Sequence, residues 1–72
     1  MHLEGLIKTI KQRREMMQVT QESLAELSGV GLRTLNKLES GTANPTLSTL
    51  VKLADALGLE LCLQVKDISQ KL

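Results

Sequence analysis

Apolar residues recur at helical spacing along the first 58 positions, and then the spacing changes. Leu3, Ile7, Ile10 and Met17 fall three, four or seven apart, with Leu6 and Met16 widening the stripe, which predicts an amphipathic helix over residues 3–17. Arg14 lies inside that stripe. A charge there has to reach water along its own stem or find a partner. Leu24, Ala25 and Leu27 predict a second, short helix, with Thr20 as its N-cap, Glu22 in its first turn and Gly29 at its end. The turn Gly29-Val30-Gly31 leads to a third helix, Leu32 to Glu39, whose inward candidates are Leu35 and Leu38 and which Ser40-Gly41 closes. A loop follows, in which Asn44-Pro45 is a turn signal. Thr46 then caps a fourth helix with Leu47, Leu50, Val51, Leu53, Ala54 and Leu57 facing inward and Gly58 at its end.

From Leu59 the period becomes two. Leu59, Leu61, Leu63 and Val65 alternate with Glu60, Cys62, Gln64 and Lys66, the pattern of a half-buried strand; continuation as helix is the alternative for so short a run. A lone strand leaves backbone N–H and C=O groups without partners, and no second strand is offered elsewhere. The same strand of a second copy would supply them, as an antiparallel ribbon across a two-fold axis. Leu59, Leu61, Cys62, Leu63 and Val65 are therefore the dimerisation candidates. The domain is expected to span 1–66, with 67–72 a tail that gives no clear signal.

Composition supports pairing. A chain of 72 residues holds one small domain with a marginal core. Domains of this size usually add a disulfide, a metal or a partner subunit. One cysteine forms no internal disulfide, and one histidine, His2, builds no metal cluster, which leaves a homodimer and implies no cofactor. Tyr, Phe and Trp are absent, although 42% of residues are hydrophobic. Single-stranded nucleic acids are usually held by stacking on aromatic rings, so that class is disfavoured, whereas duplex DNA needs cations and a rigid element. Net charge is only +1 and decides nothing; its distribution is more useful. Lys8, Lys11, Arg13 and Arg14 form one cluster and Arg33 and Lys37 another. No apolar run approaches the roughly 20 residues of a membrane span. The absence of an export pattern, with a lone cysteine, points to the cytoplasm. No nucleophile–base spacing or phosphate-cradling loop suggests an enzyme, and no small-molecule ligand is evident.

Two short helices around a glycine turn have helix-turn-helix spacing, with the second helix shaped to enter a major groove. Arg14, Thr20-Gln21, Leu24-Ala25, Gly29-Val30, Leu35, Leu38-Glu39-Ser40-Gly41, Pro45-Thr46 and Leu53-Ala54-Ala56-Leu57-Gly58 carry the signal further. Through them, residues 7–58 resemble the lambda-repressor/Cro (XRE-type) helix-turn-helix family. The resemblance implies an all-α, four-helix lambda-repressor-like domain, here with a short C-terminal β-strand pairing across a dimer. It also implies that Thr20 and Gln21 meet the DNA backbone, where helix N-termini suit phosphate. Leu32, Arg33, Thr34, Asn36 and Lys37 correspond to the exposed face of the recognition helix. Arg33 suits guanine, Asn36 adenine, Leu32 a thymine methyl, and Lys37 a base edge or phosphate. Arg14 usually pairs in that family with the glutamate that is Glu39 here, as a structural ion pair. Lys8, Lys11 and Arg13 are expected to be surface charges, with phosphate contact as the alternative. Gly31 departs from the pattern, standing where serine or threonine often caps the recognition helix. The ending Gly58-Leu59-Glu60-Leu61-Cys62-Leu63 resembles the HipB-like antitoxin branch, which implies a HipA-like toxin as partner. The expected function is a repressor on a palindromic operator, with an antitoxin as its particular form. A stand-alone phage-type repressor, or a scaffold for protein contacts alone, is the alternative.

Overall fold

A computed structural model describes residues 3–65; the expected tail, 67–72, lies outside them. Four helices form: α1 (Leu3–Met16), α2 (Gln21–Ser28), α3 (Leu32–Glu39) and α4 (Leu47–Ala56). Thr20 and Thr46 cap α2 and α4, their hydroxyls accepting from the backbone N–H groups of Ser23 and Thr49. Gly31 begins α3 with no side-chain cap.

Three helices stop by one device. The residue after the last turn takes a left-handed conformation, and the next N–H reaches back to a carbonyl five residues earlier. Val19 bonds in this way to Arg14, Thr42 to Lys37, and Leu59 to Ala54, at 3.1, 3.0 and 2.8 Å. Gly41 and Gly58 supply the positive φ at the second and third sites, whereas Gln18 adopts φ 58° at the first.

Ile10, Leu24, Val30, Leu35, Leu38, Leu50, Leu53 and Leu57 make the core, with Leu3, Leu6, Ile7, Val19 and Ala25 among those packed around it. α2 lies against both α3 and α4, and α1 against α3. Burial of one leucine side chain stabilises by about 1.5–3 kcal/mol, so these aliphatic residues hold the fold without any aromatic ring.

Several inward assignments fail. Met16 and Met17 are exposed, because the left-handed turn at Gln18 carries the chain off the helix before the stripe is complete. Leu27, one of the apolar residues that predict α2, is exposed as well. Apolar residues surround more than half of α4. Leu50, Leu53 and Ala54 take the core, leaving Leu47 70% exposed and Val51 exposed as well. Residues 59–65 are irregular rather than helical, and no strand forms among the described residues. Of the alternating set, Leu59 and Leu61 are partly buried, while Leu63 and Val65 are 84% and 97% exposed. One chain covers only half of that apolar face.

Candidate nucleic-acid interface

Leu35 and Leu38 are fully buried and fix the rotation of α3. Leu32, Arg33, Thr34, Asn36 and Lys37 are consequently exposed. Arg33 and Lys37 stand four positions apart, on one side of the helix. At the C-terminal end of α3 the carbonyl of Lys37 accepts from the N–H of Thr42 and from the hydroxyls of Ser40 and Thr42, at 3.0, 2.9 and 3.2 Å. The helix is therefore held at its last turn as well as along its inner face.

Its base is an ion pair. Nε of Arg14 donates to Oε2 of Glu39 at 2.7 Å, and the guanidinium Nη2 donates to Oε1 at 2.8 Å. Two parallel bonds of this kind match the guanidinium fork to the carboxylate. Nη1 donates to the carbonyl of Val19 at 2.8 Å, so Arg14 ties the α1–α2 connection to the end of α3. The Glu39 side chain is only 3% exposed. Burial pushes its carboxyl pKa upward, but hydrogen bonds from Arg14 and Gln21, with the charges of Arg14 and Lys11, outweigh that and hold it below the usual range. The bond to Glu39 likewise raises the pKa of Arg14, against the opposing effect of burial. Both groups remain charged. The arginine inside the apolar stripe thus has a partner 25 residues away.

Thr20 and Gln21 stand at the start of α2, with Thr20 exposed and Gln21 half-buried. Gln21 does more than face outward. Its Nε2 donates to Oε1 of Glu39 at 3.0 Å, and its Oε1 accepts from Nδ2 of Asn36 at 3.3 Å. Lys11 and Ser40 join these side chains around one polar cleft. No periodicity or spacing in the sequence encodes the links from Gln21 to Glu39 and Asn36. The nearest signal was the co-occurrence of Arg14, Gln21 and Glu39 in one family pattern.

Arg13 is not a free surface charge. It is half-buried, and its Nε donates to the Leu57 carbonyl at 3.0 Å, beside Gly58. A cation on a helix C-terminus is favourable, but 44 residues separate the partners, and no local pattern reveals such a contact.

The dimerisation candidates lie on another part of the surface. Leu61, Cys62 and Leu63 line an apolar groove with Leu3 and Leu6 of α1 and Leu47, Leu50 and Val51 of α4. Cys62 is an exposed free thiol. Among the described residues, no backbone hydrogen bond engages positions 60–65. No helix is long and apolar enough to cross a membrane, and no side-chain group suited to a metal ion occurs among the described residues.

Comparison with known proteins agrees with this geometry. The helix-turn-helix family profile matches residues 10–64. The chain is 39% identical over 54 residues to an uncharacterized HTH-type transcriptional regulator of Haemophilus influenzae, covering 75% of this chain and 55% of that one. It is 42% identical over 53 residues to the cryptic phage CTXphi transcriptional repressor RstR of Vibrio cholerae, covering 69% and 47%. An uncharacterized HTH-type transcriptional regulator of Methanothermobacter thermautotrophicus is 41% identical over 59 residues, covering 82% and 81%. The chain thus spans about half the length of the first two. No solved structure gives a significant match.

Proposed function

The chain belongs to the XRE-type helix-turn-helix family, and we propose that it is a transcriptional repressor that binds a palindromic duplex operator through α3, as a homodimer. The observation that carries this reading is the presentation of α3. Its inner leucines and its tie to Arg14 fix it in place, while Arg33 and Lys37 stand exposed on its outer side. A rigid helix carrying cations meets the steric and electrostatic needs of major-groove entry. Thr20, Gln21, Leu32, Thr34 and Asn36 complete the contact surface. Similarity to a protein named as a transcriptional repressor supports the repressive sense.

The homodimer draws support from the apolar groove and from residues 60–65 beside it, whose backbone makes no hydrogen bond among the described residues. Pairing of Leu59 to Val65 as an antiparallel ribbon would cover both. Two recognition helices would then meet half-sites about one helical turn apart. The names of the relatives above give no support to an antitoxin role with a HipA-like toxin.

Selection of bound duplexes from random DNA at fixed salt tests the reading. The wild type should enrich a two-fold symmetric site. Arg33→Ala should lose about 1–3 kcal/mol and relax one base position, whereas Lys37→Ala should lower affinity or relax a neighbouring position. If the double variant binds the enriched site as tightly as wild type, α3 is not the reading helix.

A further inference from the structure

We propose that Arg13 is a positioning residue that sets the spacing of the two half-sites. By gripping the end of α4 it fixes the direction in which residues 59–65 leave the domain, and hence the separation of the two recognition helices in the dimer. This rests on the reading of the chain as a homodimer paired through residues 59–65.

Arg13 lies three residues after Ile10 and seven after Leu6, on the face of α1 that packs on the core. A charge on that side needs a partner, and the partner is a helix end. Nε of Arg13 donates to the Leu57 carbonyl at 3.0 Å, and Nη2 lies 3.6 Å from where a Cβ on Gly58 would stand. Among the described residues, no other side-chain hydrogen bond joins the end of α4 to a different helix. Leu57 is buried, and beyond it the Leu59 N–H reaches back to Ala54 over Gly58, whose φ is 70°. The chain is thus clamped at the last point before the pairing segment. The next residue of α1, Arg14, holds Glu39 at the end of α3 with two bonds. Consecutive arginines of one helix therefore grip the reading helix and the root of the pairing segment. Glycine alone would let that root swing. In a two-fold dimer the same orientation is used twice, so any slack at the root enters twice. The duplex is strict in this respect: one added base pair moves a half-site by about 3.4 Å and turns it by about 35°.

Binding of the full chain to duplexes with two copies of the enriched half-site, set apart by spacers differing by single base pairs, tests this. The wild type should favour one spacing. Its affinity should fall by roughly 10- to 100-fold when a base pair is added or removed, because the second half-site is then out of reach. Arg13→Met keeps an apolar stem but loses the donor. It should bind an isolated half-site as wild type does and the best-spaced pair more weakly, and its loss on a one-base-pair change should shrink to roughly 2- to 5-fold. Arg13→Lys can still donate to the Leu57 carbonyl, and should restore a narrow profile. Circular dichroism confirms that each variant is folded, and Arg13→Gln serves if Arg13→Met is not. A merely structural role would lower the melting temperature and leave the spacing profile as narrow as in wild type. That result overturns the inference while leaving the dimer in place, as does a wild type that binds every spacing equally well. A wild type that binds paired half-sites no better than one overturns the dimeric reading, and this inference with it.

Discussion

Arg14 and Glu39 show how much of this small fold hangs on single side chains. Glu39 accepts three hydrogen bonds with almost no exposure, and Arg14 spends its donors on Glu39 and Val19. Glu39→Gln removes the charge that compensates Arg14 and should destabilise the domain by about 3–5 kcal/mol. That is a large share of the roughly 5–15 kcal/mol typical of a folded domain. Urea unfolding followed by circular dichroism would measure it, since no Trp or Tyr provides fluorescence. The pair also fixes a pH dependence. The Glu39 carboxyl is held below its ordinary value of 4.5, so its contribution is fully present above that value and is lost as pH falls through the lowered folded one. The urea midpoint should therefore drop in acid below pH 4.5. The drop should be smaller in Glu39→Gln. Equal acid sensitivity in both proteins would place the acid-labile group elsewhere.

Among the elements, local chemistry was legible in the sequence and distant chemistry was not. The caps at Thr20 and Thr46, the glycine stops and the buried leucines of α3 follow from short-range rules, and each stands where those rules set it. The ion pair was anticipated only through family resemblance. The amide links of Gln21 and the Arg13 contact with Leu57 join positions far apart in the chain, and no periodicity encodes them. Apolar pattern also overstated the interior. It marks what prefers to leave water, not which chain supplies the cover, so Leu47, Val51, Leu63 and Val65 read as inward although they are exposed in the single chain. One helix end carries no glycine signal, because a glutamine occupies it. Gln18 adopts φ 58°, a conformation that costs a side-chain-bearing residue about 1–2 kcal/mol. Gln18→Gly removes that strain but frees the unfolded chain. The net gain should be about 1 kcal/mol or less, a rise in melting temperature of roughly 4–8 °C at most. A fall would show that the Gln18 side chain contributes more than its backbone costs.

For the whole molecule, the dimer proposed above would link stability to recognition through one uncovered apolar surface, away from α3. A domain of 72 residues has few apolar groups to spare, yet this one leaves Leu47 and Leu63 largely in water, lining one groove. Covering that groove with a second copy would add core that the single chain lacks, and would join two recognition helices into one unit. Affinity would then depend on protein concentration as well as on salt, since two helices bind a symmetric site far better than one. Leu47→Glu separates these effects. Leu47 is 70% exposed, so the substitution costs the isolated fold little, but it places a charge in the proposed contact. Sedimentation equilibrium should show wild type as a dimer and Leu47→Glu shifted to monomer, with helical content unchanged. The melting temperature of wild type should rise with concentration, as for any fold stabilised by self-association, and that of the variant should not. Binding to the full symmetric operator should weaken far more than binding to a half-site. A Leu47→Glu protein that stays dimeric and binds the full operator as wild type does would move the interface away from this groove, and the ribbon proposed for residues 59–65 would lose the surface beside which it pairs.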